Sequence, residues 1–250
     1  MGTPAPLPPT NAMRSVLLAG TSGLVGRELL RLCLADADVQ VVKALLRRDV
    51  PLDALLPTVQ SGDVPLTDAQ RRKFQPCIVD FDRLDRHPEH FAVDAVFCAL
   101  GTTIRQAGSQ TAFRKVDFDA PLQIAQLAHA QGASRFLLVS ALGASANSRV
   151  FYNRVKGELE EAIEAVGFSR FVVAQPSLLQ GDRTEFRLGE HLGLWLSRVF
   201  GVFIPESHRP VHVRQVALGL MGAARTLRDS DEGGERTRRV LPNAWLRRMR

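Results

Sequence analysis

The stretch Val16-Leu17-Leu18-Ala19-Gly20-Thr21-Ser22-Gly23-Leu24-Val25-Gly26-Arg27-Glu28-Leu29-Leu30 constrains this chain more than any other. It reads as a short buried strand, a tight glycine turn and the first turns of a helix. Glycine has three separate uses at such a junction. Gly20 permits a backbone turn that a Cβ would hinder, Gly23 lets the main chain come close to a bound group, and Gly26 lets the helix lie close on the strand. The N–H groups at the helix start, with the positive end of the helix dipole behind them, form a site for a pyrophosphate. The spacing G-x-x-G-x-x-G differs from the commoner dinucleotide pattern G-x-G-x-x-G, and its position between a strand and a helix gives it weight.

The same rhythm repeats downstream. Strands are expected at Val39–Leu46, Cys77–Asp80, Asp94–Leu100, Arg135–Ser140 and Phe168–Ala174, and helices at Leu24–Leu34, Ser109–Gln131 and Phe151–Val166. Alternation of this kind predicts an α/β fold, a doubly wound parallel sheet with right-handed crossovers, of the NAD(P)-binding Rossmann type. Residues 50–75 read as a surface excursion with a short helix near Asp68–Phe74. Past Gly181 the alternation loosens: Glu190–Val202 is a hydrophobic helix, and Pro210–Val213 and Arg239–Leu241 are candidate late strands, separated by a helix and by the charged linker Arg228–Arg238. The expected organisation is a disordered leader, 1–12, and one domain, 13–250, with 178–215 forming a small C-terminal substrate-facing lobe.

Composition removes several classes of function. In 250 residues, 45% hydrophobic and 23% charged, there is ample material for one soluble core. No apolar run reaches the roughly 18 residues of a membrane span, and the proline-rich start lacks a charged and apolar signal pattern. The net charge of +6 comes from 28 Arg and 4 Lys against 26 acidic residues. No basic run interleaved with aromatics accompanies it, so no nucleic-acid partner is expected. Cys33, Cys77 and Cys98 are widely spaced in apolar segments and read as reduced core residues of a cytoplasmic protein. Pro88 and Pro210 interrupt the closest histidine pairs, and no metal site is expected.

Two further features point to chemistry. The second strand ends in Arg47-Arg48, where a dinucleotide fold holds the adenosine ribose; arginine there pairs with a 2′-phosphate, which favours NADP(H) and leaves NAD(H) as the other candidate. Tyr152, the chain's one tyrosine, stands four residues before Lys156 in an expected helix, so both project from one face. Hydride transfer to a carbonyl leaves an alkoxide that needs a proton. A phenol with a pKa of about 10 serves as acid and base near neutrality only when a neighbouring ammonium stabilises its phenolate. Lys156 supplies that charge and can hold the nicotinamide ribose, and Ser140, at the end of the fifth strand, can hydrogen-bond the substrate oxygen.

Taken together, Gly20-x-x-Gly23-x-x-Gly26, Arg47-Arg48, Leu100-Gly101-Thr102-Thr103, Ser140 and Tyr152-x-x-x-Lys156 resemble an atypical short-chain dehydrogenase/reductase of the Tat-interacting-protein-like group. Gln175-Pro176-Ser177 and Pro210-Val211-His212-Val213 are similar to that group's downstream segments. The resemblance implies that Thr21, Ser22, Gly23, Leu24 and Val25 cradle the pyrophosphate, that Asp80 and Phe81 lie by the adenine, and that Ala99, Leu100, Gly101 and Thr102, with Pro176 and Ser177, line the ribose and nicotinamide side. Members often carry two adjacent serines after the fifth strand; here the second position is Ala141. Two functions follow as expectations: an NADP(H)-dependent oxidoreductase acting on a small carbonyl or alcohol, or a non-catalytic NADPH-binding regulator working through a protein partner. The chain is expected to act as a monomer or homodimer.

Overall fold

Runs of apolar residues, rather than alternating ones, mark the central strands, because a parallel sheet is covered on both faces. In a computed structural model, which describes residues 13–57, 64–181, 205–226 and 236–249, these runs become β1 (Ser15–Ala19), β2 (Val41–Leu46), β3 (Phe74–Ile78), β4 (Ala95–Cys98), β5 (Arg135–Val139) and β6 (Arg170–Gln175). A short parallel pair, β7 (Leu179–Gln180) and β8 (Val211–His212), stands apart, and β9 (Thr237–Pro242) returns to the main sheet. The main sheet has seven strands, all parallel, in the order β3-β2-β1-β4-β5-β6-β9. This is the doubly wound Rossmann arrangement. Strand order reverses between β1 and β4, and the carboxyl ends of those two strands form the crevice where such sheets bind ligands.

Successive residues of β1 feed opposite cores. Leu18 packs with Leu29, Leu30 and Leu34 of helix α1 (Leu24–Ala35) and with Val216 and Leu220 of the helix Val213–Thr226. Leu17 and Ala19 pack on the other face, with Ile124, Leu159 and Ile163 from two later helices. Cys33, Cys77 and Cys98 are buried free thiols. At the far end of α1, the carboxylate of buried Asp36 accepts from Arg225 Nε at 2.9 Å, tying the two helices on that face together.

Several elements differ from the sequence expectation. The single helix expected over Ser109–Gln131 is three pieces: α-helix Gln110–Arg114, a π-helical stretch Lys115–Asp119, and α-helix Ala120–Ala130. Pro121 accounts for the break. It lacks an N–H for the carbonyl of residue 117 and its ring crowds that carbonyl, so the chain widens and Ala120 N–H bonds back five residues to Lys115 O. The third strand begins earlier than expected and includes Pro76, which is tolerated because β3 is a sheet edge. The short helix near Asp68–Phe74 is Asp68–Arg71, started by a capping box between Thr67 and Gln70. Arg239–Leu241 extends to become β9, a seventh strand, whereas Val211–His212 pairs only with β7. The leader 1–12, the helix at Glu190–Val202 with most of the 178–215 lobe, and the linker over 227–235 lie outside the described residues.

Phe97 of β4 is fully buried in the larger core. Phe97→Ala is expected to destabilise the fold by about 3–5 kcal/mol, read as a lower urea midpoint with an unchanged denaturant slope.

Candidate active site

At the carboxyl end of β1 the backbone is packed too closely for side chains. Gly20 has φ +93°, and a Cβ there would lie 2.6 Å from the carbonyl carbon and oxygen of Ala99 beyond β4. At Gly26 a Cβ would lie 2.0 Å from Gly20 O. Gly23 is less crowded, and its N–H closes the turn by donating to Gly20 O at 3.0 Å, so that amide is not the one left for a ligand. Gly23 is the N-cap of α1 and supplies no side-chain cap, which leaves the N–H groups of the first helical turn, at Leu24, Val25 and Gly26, to whatever lies in front of them. Thr21 is buried, and among the described residues its Oγ1 has no partner. Ser22 is exposed at the tip. An anionic group at this turn would satisfy the helix start, so the residues fit a dinucleotide pyrophosphate.

Neighbouring strand ends extend the same edge. Arg47 and Arg48 are exposed just past β2. Leu46 of β2 is in register with Ile78 of β3, so Asp80 and Phe81 follow at the same end of the sheet. Asp80 is exposed and Phe81 is packed against the smaller core. Past β6, Pro176 O accepts from Leu142 N–H at 2.8 Å. Ser177 is held on both sides: its N–H donates to Asn243 Oδ1 at 3.0 Å and its hydroxyl donates to Arg209 O at 2.6 Å.

Helix α7 (Phe151–Val166) carries the candidate proton-transfer residues. The half-buried ring of Tyr152 packs on Phe113, with centroids 5.6 Å apart. One turn on, buried Lys156 Nζ lies 2.7 Å from Oδ1 of buried Asp117, which projects from the π-helical stretch. The other carboxylate oxygen of Asp117 accepts from Thr102 N–H at 2.8 Å. Gly101 caps the pair: a Cβ there would lie 3.4 Å from Asp117 Oδ1 and 3.8 Å from Lys156 Nζ. Burial works against charge on Lys156, but Asp117, then Tyr152, outweigh it, so the ammonium is held above the usual lysine range.

A third residue of α7, Glu160, follows Lys156 by one more turn and is also buried. It accepts from Ser140 Oγ at 2.5 Å, from Gln175 Nε2 at 3.0 Å and from Arg238 of β9 at 3.0 Å. A carboxylate only accepts, so the proton of the Ser140 hydroxyl points to Glu160. With its proton on Glu160, Ser140 Oγ has only lone pairs for a further partner; donating to a carbonyl requires it to turn away from Glu160. Ala141 is buried beside it.

The sequence reading passed over Asp117 and Glu160. Glu160 had a signal, since positions 152, 156 and 160 share one helical face. Asp117 had only Pro121 four residues later. Elsewhere, His87, Glu89 and His90 converge, with His87 Nδ1 3.3 Å and His90 Nδ1 4.0 Å from Glu89 Oε1. The two rings are stacked at 17°, however, and one ion cannot lie in both ring planes without a ring turning.

No family model matches the chain. Among curated proteins it is similar to Protein HTATIP2 of Rattus norvegicus, 36% identical over 195 residues that cover 78% of this chain and 73% of the relative. It is also similar to Protein FMP52-1, mitochondrial, of Scheffersomyces stipitis, 34% identical over 169 residues, 68% of this chain and 69% of the relative. The name of that fungal protein assigns it to mitochondria, where a plainly cytoplasmic expectation does not reach. Among solved structures the fold is similar to a short-chain type dehydrogenase/reductase from Mycobacterium ulcerans (TM-score 0.65, 16% identity, 93% of this chain and 90% of that one). It is also similar to Bordetella bronchiseptica WbmG in complex with NAD (TM-score 0.62, 12% identity, 95% and 75%). No described helix is long and apolar enough to cross a membrane.

The crowding at the turn sets up a paired comparison. Gly132 also has positive φ, +90°, but nothing lies within 4 Å of a Cβ placed there. Gly132→Ala is expected to cost about 1–2 kcal/mol of backbone strain. Gly26→Ala must displace backbone and is expected to lower the thermal midpoint at least twice as far; equal drops would mean that the turn relaxes freely.

Proposed function

Because this chain belongs to the family of HTATIP2 and FMP52, atypical short-chain dehydrogenase/reductases, we propose that it is an NADP(H)-dependent oxidoreductase acting on a small carbonyl or alcohol. The observation that carries this reading is the alignment of Tyr152 and Lys156 on one face of α7, with Lys156 beneath Gly101 at the end of β4 and the glycine turn packed on Ala99 beside it. The turn from Gly20 to Gly26 would hold the pyrophosphate, Arg47 and Arg48 the 2′-phosphate, and Asp80 and Phe81 the adenine side. Ala99 to Thr102, Pro176 and Ser177 would line the nicotinamide half. Bound there, the nicotinamide supplies or takes up the hydride.

The chain's own residues handle the proton. Tyr152 Oη gives it to the oxygen of a carbonyl being reduced, or takes it from an alcohol being oxidised. Lys156 stabilises the phenolate that is left. Ser140 would orient the substrate by swinging its hydroxyl proton from Glu160 to the substrate oxygen, which accepts it as a carbonyl or as an alcohol. Free, buried thiols suit a reducing compartment, the cytoplasm included.

Titration with NADPH and NADH, followed by nicotinamide fluorescence, tests the cofactor. The double substitution Arg47→Ala, Arg48→Ala is expected to weaken NADPH by about 10- to 100-fold and to leave NADH nearly unchanged. Equal losses for both would remove the 2′-phosphate role. In single-turnover assays across a carbonyl panel, Tyr152→Phe is expected to abolish NADPH oxidation while retaining NADPH affinity. Turnover that survives Tyr152→Phe rejects the proton-transfer role. Tight NADPH binding with no turnover by the unaltered protein turns the assignment to an NADPH-binding regulator.

A further inference from the structure

In this site a buried carboxylate stands directly on the lysine that is meant to serve the tyrosine. We infer that Asp117 is a positioning residue that balances Lys156, so that Tyr152 faces a neutral ion pair rather than a lone cation, keeps its proton, and is poised to donate it in carbonyl reduction. The inference rests on the reading of Tyr152 and Lys156 given above.

Three observations carry it. Lys156 Nζ and Asp117 Oδ1 are 2.7 Å apart, with side-chain exposures of 3% and 0%, so solvent does little to screen either charge. The carboxylate is locked in place by the Thr102 N–H and by a π-helical turn that Pro121 imposes, so Asp117 is held at the lysine rather than merely near it. Asp117 is also the foremost group that holds up the charge on Lys156 against burial.

Among the described residues, the other ionisable groups on the elements packed here do not supply a competing charge. Burial pushes the Cys98 thiol on β4 up to about 11, so it is neutral near pH 7. Glu160 is occupied by Ser140, Gln175 and Arg238. Arg114 pairs with Glu158, to which Arg154 also comes within 4.0 Å, and Lys115 pairs with Asp82; all of these lie at the partly open surface. Asp119, the remaining acid of the π stretch, is exposed.

A phenol beside an ammonium whose charge is already met gains less from it than one beside a free ammonium. The proton then stays on Tyr152 near neutrality, which is the form needed to protonate an alkoxide formed by hydride arrival at a carbonyl. Oxidation of an alcohol needs the opposite form and is served at higher pH.

The chain has one tyrosine, so the near-ultraviolet absorbance of tyrosinate against pH reports Tyr152 alone, with neither cofactor nor substrate needed. Asp117→Asn keeps an acceptor for Thr102 and is expected to move the titration midpoint down by about one pH unit, a tenfold change in the acid constant. Lys156→Met is expected to move it up, and the double variant to return close to the unaltered protein, because both are neutral at this position. Circular dichroism checks that each variant is folded. If Asp117→Asn alone does not fold, the double variant against Lys156→Met carries the same comparison, with a lower midpoint expected in the double variant. An unmoved or raised midpoint on removal of Asp117, with Lys156→Met still raising it, overturns the balancing role alone. No movement on Lys156→Met overturns the pairing of Tyr152 with Lys156 as well.

Discussion

Everything at the functional edge of this molecule depends on one steric constraint, the contact of three backbone segments at Gly20, Gly26 and Ala99 with no room for a Cβ between them. That contact brings the start of α1 against the end of β4. Without it the uncapped first turn of α1 would stand away from Gly101 and Thr102, and those residues are what connect the turn to Asp117 and Lys156. The proposed phosphate site and the proposed proton-transfer site are thus joined through a few residues of main chain, whose geometry is set by the absence of side chains.

The second organising feature is electrostatic. Two ion pairs, the buried Lys156 with Asp117 and the buried carboxylate of Glu160 with the partly exposed Arg238, lie one turn apart on α7. Desolvating such pairs is expensive, and apolar substitutes would often serve stability as well or better. Their presence side by side under the crevice is therefore more readily understood as a means of fixing where charge and protons sit. Glu160 decides which way the Ser140 hydroxyl points, and Asp117 decides what Lys156 has left to offer Tyr152.

The sheet was largely legible from sequence because its signal is local: apolar runs such as Leu137-Leu138 and Val172-Val173, separated by helices of regular period, admit few arrangements other than a parallel doubly wound one. What was not legible depends on contacts distant in the chain. β9 carries Arg238-Arg239-Val240 and reads as a weak strand, and only pairing with β6 makes it one. The π turn at Lys115–Asp119 arises from Pro121 acting on a carbonyl four residues back, inside a segment whose apolar period looks unbroken. The glycine turn, Tyr152 and Lys156 could be found by spacing. Asp117 could not, since its role exists only once two helices and the end of β4 meet.

The ties that complete the site also set an order of events during synthesis. Glu160 reaches its arginine 78 residues later in the chain, and Ser177 its asparagine 66 residues later. While a ribosome is still making that stretch, the earlier strands can already pair, yet a buried carboxylate under the crevice has no cation and the loop after β6 is unpinned. A nascent chain of this kind can therefore pair six of its seven strands before β9 brings Arg238 to Glu160, and chaperones or proteases that scan emerging chains would meet a sheet that still lacks its last strand and the ties that strand carries.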